Sequence, residues 1–103
     1  MNQPVASVSA PVRFRVDRTA KEERREGGVH RHISRLCLSN GSQIDRPDAI
    51  AAITAGNSVF YLLAEGTWAE VQVVDRCPRC AEPYLRTSSD TSSRDALLRL
   101  PDC

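Results

Sequence analysis

The stretch from Ser58 to Thr87 constrains the fold of this chain more than any other. It reads as three short strands, Ser58–Ala64, Trp68–Asp75 and Pro83–Thr87, joined by a turn at Glu65-Gly66 and a loop at Cys77-Pro78-Arg79-Cys80. Val59-Phe60-Tyr61-Leu62-Leu63-Ala64 is apolar at successive positions, the pattern of a central strand covered on both faces. In the next strand Ala69, Val71 and Val73 alternate with Glu70 and Gln72, so one face is dry and one wet. Strands joined by such short connections pair antiparallel.

Upstream, Pro11–Asp17 alternates strictly, with Val12, Phe14 and Val16 on one face and Arg13 and Arg15 on the other. This predicts a half-buried strand at a sheet edge. Arg18–Gly28 is a mixed-charge run without an apolar face, which predicts a loop or a frayed solvent helix. His30–Leu38 reads as a strand. A strict period of two places His30, His32, Ser34, Leu36 and Leu38 on one side and Arg31, Ile33, Arg35 and Cys37 on the other. Asn40-Gly41 is a turn signal.

Pro47–Ala55 is the expected helix. Pro47 suits its first position, where the missing N–H costs nothing, Asp45 and Asp48 carry negative charge to its positive end, and Gly56 stops it. Ile50 and Ile53, with Ala49 and Ala52, form the apolar stripe. So short a helix is marginal alone in water and must lie on the sheet. Ser88–Ser93 is polar and turn-like. Leu97, Leu98 and Leu100 then return to the core as a short strand or single helical turn, ended by Pro101. The expected architecture is α+β: a mostly antiparallel sheet of four to five strands carrying one short helix, residues 12–103 forming one domain behind a flexible lead-in over 1–11.

Four cysteines set the chemistry. No apolar run approaches the roughly 20 residues that cross a bilayer, and no basic region followed by an apolar segment opens the chain. The expectation is a cytoplasmic, reducing setting, where cysteines serve as thiols or metal ligands rather than as a disulfide framework. Cys77-Pro78-Arg79-Cys80 is half of a zinc site: two thiolates in a tight turn converge on one ion, Pro78 preorganises the turn, and Arg79 favours deprotonation. The remaining ligands are His30 with His32, or Cys37 with Cys103. Mixed use of His32 and Cys37 is disfavoured if their strand is regular, because they would then face opposite ways. The bland alternative is a pair of free thiols in a surface hairpin. Thioredoxin-like redox chemistry is a third use of the pair, but Pro83 and a strand follow where that chemistry needs a helix N-terminus.

Net charge is +1, yet residues 1–35 carry +4 and residues 36–103 carry −3. Arg13, Arg15, Arg18, Arg24, Arg25, Arg31 and Arg35 are therefore the candidate phosphate contacts of a nucleic-acid-binding module. Trp68 after its turn packs most simply on the sheet, and an exposed Trp there would mark a contact surface. There is no Gly-x-Ser-x-Gly elbow, no phosphate-binding Gly-rich loop and no assembled catalytic constellation. The reading is a non-enzymatic accessory module whose partner is another protein.

From Val12 to Cys103 the chain resembles a small bacterial family of uncharacterised proteins, domain of unknown function 3892. The resemblance lies in the opening alternating strand, His32-Ile33-Ser34, Asn40-Gly41, the helix closing at Gly56, Phe60-Tyr61, Tyr84–Thr87, Asp90 and the Leu97–Pro101 close. Two features depart from it: Asp95-Ala96 stands where the family has Asn before the double Leu, and Cys77-Pro78-Arg79-Cys80 replaces a short Gly-type turn. The resemblance implies a small α+β protein, supplies no activity, and makes the Cys pair a speciality of this member.

Overall fold

The computed structural model describes residues 10–64, 66–87 and 96–103. The expected lead-in before Ala10, the Ser88–Ser93 turn, and Glu65, Asp90 and Asp95 lie outside these residues. Six strands form one mixed sheet: β1 (Val12–Arg24), β2 (His30–Leu38), β3 (Gln43–Asp45), β4 (Ser58–Ala64), β5 (Thr67–Val74) and β6 (Tyr84–Thr87), in the order β3-β2-β1-β4-β5-β6. Helix α1 (Arg46–Thr54) follows β3, and a single turn of helix, α2 (Ala96–Arg99), comes near the C-terminus. The α+β class holds, with more strands and one more helix than expected. All neighbouring strands are antiparallel except β1 and β4, which run parallel through Phe14 opposite Phe60.

The largest correction concerns β1. It is not an edge strand and does not stop at Asp17; it lies between β2 and β4 and continues through Arg24. Its charged second half persists as strand because it pairs with β2 as far as Arg24 and, at Thr19, with the C-terminal residues too. On one side it meets β2. On the other, Thr19 N–H donates to the Pro101 carbonyl and Cys103 N–H donates to the Thr19 carbonyl, so the C-terminal residues extend the sheet beyond the end of β4. The charges that disqualified this run as core are used in ion pairs: Lys21 with Asp102, and Arg24 with Glu22 and Glu82.

Strict alternation also fails, for a local reason. Between β1 and β2 the register steps from Val16 opposite Leu38 to Arg18 opposite Cys37, and from Ala20 opposite Arg35 to Lys21 opposite Ile33. Asp17 and Ser34 are thus extra residues, one β-bulge in each strand, and a bulge changes which side chains face the core. Val16 and Thr19 are both buried, three apart, as are Ile33 and Leu36. The expected placing of Leu36 and Leu38 with the two histidines, and of Ile33 opposite Leu36, is corrected by the Ser34 bulge.

The core gathers Val16, Ile33, Leu36, Phe60, Leu62, Val71 and Leu85 from the strands, Ala49 from α1 and Leu97 from α2. Pro47 sits in the first turn of α1, and Gly56 at φ 76° donates its N–H to the Ile53 carbonyl to close it. Strand β4 is central as expected, but only one of its faces is covered. Phe60 and Leu62 are buried while Leu63 is exposed. Among the described residues no helix is long and apolar enough to cross a membrane.

Candidate metal centre

His30 and His32 stand two residues apart on β2, before the Ser34 bulge, so the strand's period of two brings both imidazoles to one face. The loop between β5 and β6 brings Cys77 and Cys80 over them. That loop is folded by its own backbone: Cys77 N–H donates to the Glu82 carbonyl at 2.8 Å and Ala81 N–H to the Cys77 carbonyl at 2.8 Å. Arg79 N–H donates to Cys77 Sγ, 3.4 Å away. Ala81 holds φ 65°, the left-handed region, so that the chain turns back directly after Cys80.

The β1–β2 turn locks against this loop. Gly27, at φ 70°, packs so closely on Arg79 that a Cβ there would lie 2.9 Å from the Arg79 Cα and closer still to its carbonyl oxygen. The Arg79 guanidinium donates to the Val29 carbonyl at 3.4 Å. Within the turn, His30 Nδ1 lies 2.7 Å from the Gly28 carbonyl oxygen. A carbonyl only accepts, so Nδ1 carries the proton and Nε2 offers its lone pair.

The four donor atoms then converge. Cys77 Sγ is 3.8 Å from His30 Nε2, Cys80 Sγ is 3.4 Å from His32 Nε2, and all four lie within 4.8 Å of one another. For a tetrahedral zinc with usual Zn–S and Zn–N lengths, the S···N separation is about 3.6 Å, between the two observed values. The residues fit the ion: two thiols, two imidazoles and a common centre. His32 and Cys77 are buried and His30 and Cys80 half-buried.

Charged neighbours surround the histidine side of the site. Arg24 donates to Glu82 at 2.6 Å and to Glu22 at 2.8 Å; Arg46, the first residue of α1, donates to Glu22 at 3.1 Å and lies 3.8 Å from Glu82. This ring of two arginines and two glutamates fastens β1, α1 and the cysteine loop together. The Arg24 hydrogen bond holds the Glu82 carboxyl below its ordinary range, and the Arg24 guanidinium is raised in return, chiefly by Glu82. Burial, followed by the neighbouring His30 and then Arg46 and Arg24, pushes His32 below the usual imidazole value. Neutral imidazole is the form that ligates a metal. The Tyr84 ring lies against His32, centroids 4.8 Å apart, and limits how the ring can turn.

Cys37 and Cys103 are not available as ligands: they are joined to each other by a disulfide spanning 66 residues of sequence. The expectation that all four cysteines serve as thiols or ligands is corrected: Cys37 and Cys103 form a disulfide, and only Cys77 and Cys80 are free. The physical reason is the added pairing of Cys103 beside β1, which brings the C-terminus next to β2's outgoing end. The seven N-terminal arginines do not form one patch. Arg13 and Arg15 lie over the Tyr61 and Trp68 rings, Arg18 reaches the Asp102 carbonyl, and Arg24 is spent on the glutamates. Arg25 pairs with Glu23, Arg35 with Asp45, and Arg31 is exposed on β2.

Sequence reasoning passed over Glu22, Arg46, Glu82, Gly27 and Tyr84. The adjacent Gly27-Gly28 was the one signal that could have drawn attention to a close backbone approach. The charged ring joins residues remote in sequence and leaves no local trace.

A family model described as Protein of unknown function (DUF3892) matches residues 19–101, a span that includes all four donors. No curated protein and no solved structure matches the chain.

Proposed function

The chain belongs to the family described as Protein of unknown function (DUF3892), and from that premise we propose that it is a small non-enzymatic accessory module clipped by one structural zinc ion on His30, His32, Cys77 and Cys80. The observation that carries the reading is the convergence of four donors from two segments 47 to 48 residues apart at separations suited to one tetrahedral ion. Bound this way, the ion has all four positions taken by protein. Structural zinc sites are closed in that manner, whereas catalytic ones keep a position for water or substrate. His30 is fixed by the Gly28 carbonyl and His32 by Tyr84, so the imidazoles need no rearrangement to receive the metal.

The role of the clip follows from the topology. It ties the β5–β6 loop to the far side of the sheet, where β2 lies, and so closes the sheet over its core. Such a module acts through its surface, and its partner is another macromolecule.

Native mass spectrometry of the full chain, with and without a chelator, tests this. One zinc per chain is expected, lost on chelation and absent from a Cys80→Ser variant. A metal-free chain would overturn the reading: alkylation of Cys77 and Cys80 at the rate of ordinary thiols would then leave them plain free thiols, and unusually fast alkylation would favour thiol chemistry.

A further inference from the structure

The uncovered face of the sheet carries a feature that the zinc clip does not use. On β1, Arg13 and Arg15 point away from the core; on β4 and β5, Tyr61 and Trp68 do the same. The register confirms the shared face, since Arg15 pairs with Tyr61 and Tyr61 with Glu70. The Arg13 guanidinium lies 5.2 Å from the Tyr61 ring centroid and that of Arg15 5.3 Å from the Trp68 ring. The two rings meet edge to face, centroids 5.4 Å apart. Trp68 is 55% exposed, while α1 and α2 send Ala49 and Leu97 into the core with Phe60 and Leu62.

From this arrangement we propose that the Arg13–Arg15–Tyr61–Trp68 face binds single-stranded nucleic acid, its rings stacking bases and its two guanidiniums meeting successive phosphates. Trp68 is the exposed ring and Tyr61 a half-buried one beside it, both held on paired backbone. The guanidiniums over them are themselves planar groups on which a base can stack. The two arginines, two residues apart on one strand, are separated by about 6.8 Å along it, comparable with the step between phosphates of an extended strand.

The arginines are available. The carboxylates facing them are Glu70, 4.0 Å from Arg13, and Asp17, 3.3 Å from Arg15; each side chain of these pairs is about half exposed. Ion pairs this wet are weak, and a phosphate exchanges with them readily. Arg, Tyr and Trp also recur at protein contacts. A nucleic-acid single strand is favoured here because two guanidiniums, two residues apart on β1, lie beside two rings, the pairing of phosphate contact and stacking platform that such a strand needs. Residues 1–35 carry +4 against −3 on the rest of the chain, so what attraction there is for a polyanion is local to this end.

Trp68 is the single tryptophan, so it reports directly on its own stacking. The full chain is titrated with twelve-nucleotide oligo(dT) and oligo(U), following tryptophan fluorescence and, separately, anisotropy of labelled oligonucleotide. Quenching is expected, with affinity falling roughly five- to tenfold between 50 and 200 mM salt, as two phosphate contacts require. Trp68→Ala should weaken binding about tenfold or more by anisotropy, and the Arg13→Ala, Arg15→Ala double variant should flatten the salt dependence. Unchanged circular dichroism shows that the variants fold. Absent binding, salt-independent binding, equal affinity for heparin, or full affinity in Trp68→Ala would each overturn the proposal.

Discussion

Cys80 Sγ lies 3.4 Å from His32 Nε2 although 48 residues separate them in sequence. A thiol and a neutral imidazole at that distance form at best a weak hydrogen bond. Two such pairs side by side are the arrangement in which the proposed zinc ion would sit. The surrounding contacts suit that arrangement: the Gly28 carbonyl sets one tautomer, burial pushes His32 below the usual imidazole value, and the Arg79 amide faces Cys77 Sγ.

Removing one ligand should therefore remove the metal and its contribution to folding. Cys80→Ser is expected to contain no zinc and to melt lower than the wild type by about 10–20 °C, equivalent to roughly 3 kcal/mol in a domain of this size. Chelator should lower the wild-type melting temperature towards that of the variant and leave the variant unmoved. Calorimetry showing equal effects of chelator on both would count against the site.

Gly27→Ala should loosen the same site without touching a ligand. The new Cβ meets the backbone of Arg79, not the end of a flexible side chain, and the φ of 70° is unfavourable for alanine. A loss of about 2 kcal/mol or more is expected, with zinc affinity reduced at least tenfold in a competition titration against a colorimetric chelator. Wild-type affinity in this variant would show that the turn and the cysteine loop do not support one another.

Ala81→Gly should act in the opposite direction. Ala81 holds φ 65°, where an L side chain costs about 1–2 kcal/mol. Glycine removes that cost but adds roughly 0.5–1 kcal/mol of chain entropy to the unfolded state. The expected net is a small gain, a rise of a few degrees in the melting temperature with zinc content unchanged. A fall would show that Ala81 is held there without strain.

The sequence carried the parts of this fold that depend on local pattern. The strand Ser58–Ala64 appears at its expected bounds, and α1 is displaced by one residue. The cysteine loop and the shared face of His30 and His32 were likewise readable, because a two-residue spacing on a strand is a local fact. What escaped depends on partners remote in the chain. Arg18–Arg24 shows no strand pattern, and it is a strand because β2 and the C-terminal residues flank it. The bulges at Asp17 and Ser34 have no sequence signature, yet they decide which of Ile33, Leu36, Val16 and Thr19 are buried. The Cys37–Cys103 bond depends on where the C-terminus lies, which no local pattern specifies.

That bond and the zinc should be separable. Cys103→Ser is expected to keep its zinc while losing up to roughly 4 kcal/mol, the chain-entropy value for closing a loop of this length. The measurement is a melting curve beside metal analysis, with mild reductant reproducing the effect in the wild type. Zinc loss in Cys103→Ser would mean that the two cysteine pairs are not independent. In a reducing cytoplasm this pair would be open, so its state in protein freshly isolated under thiol-blocking conditions also reports on compartment.

The C-terminal clasp has a polar half as well, and its pH response has a definite sign. Lys21, whose side chain is nearly inaccessible, donates to the Leu100 carbonyl and to Asp102 at 2.7 Å. That hydrogen bond, and then the charge of Lys21, hold the Asp102 carboxyl below its ordinary value. A depressed carboxyl stabilises the fold fully above its unfolded pKa, near 4, and loses that contribution as pH falls through the lower folded value. Asp102 is itself mostly exposed, so its contribution is small and screened by salt. Asp102→Asn should thus melt only a few degrees below the wild type at neutral pH, since the Leu100 carbonyl still receives Lys21. The gap should close as the pH is lowered below about 4, because every other carboxylate titrates alike in both proteins. A gap that persists undiminished at pH 2.5, measured at constant ionic strength, would show that Asp102 acts through something other than its charge.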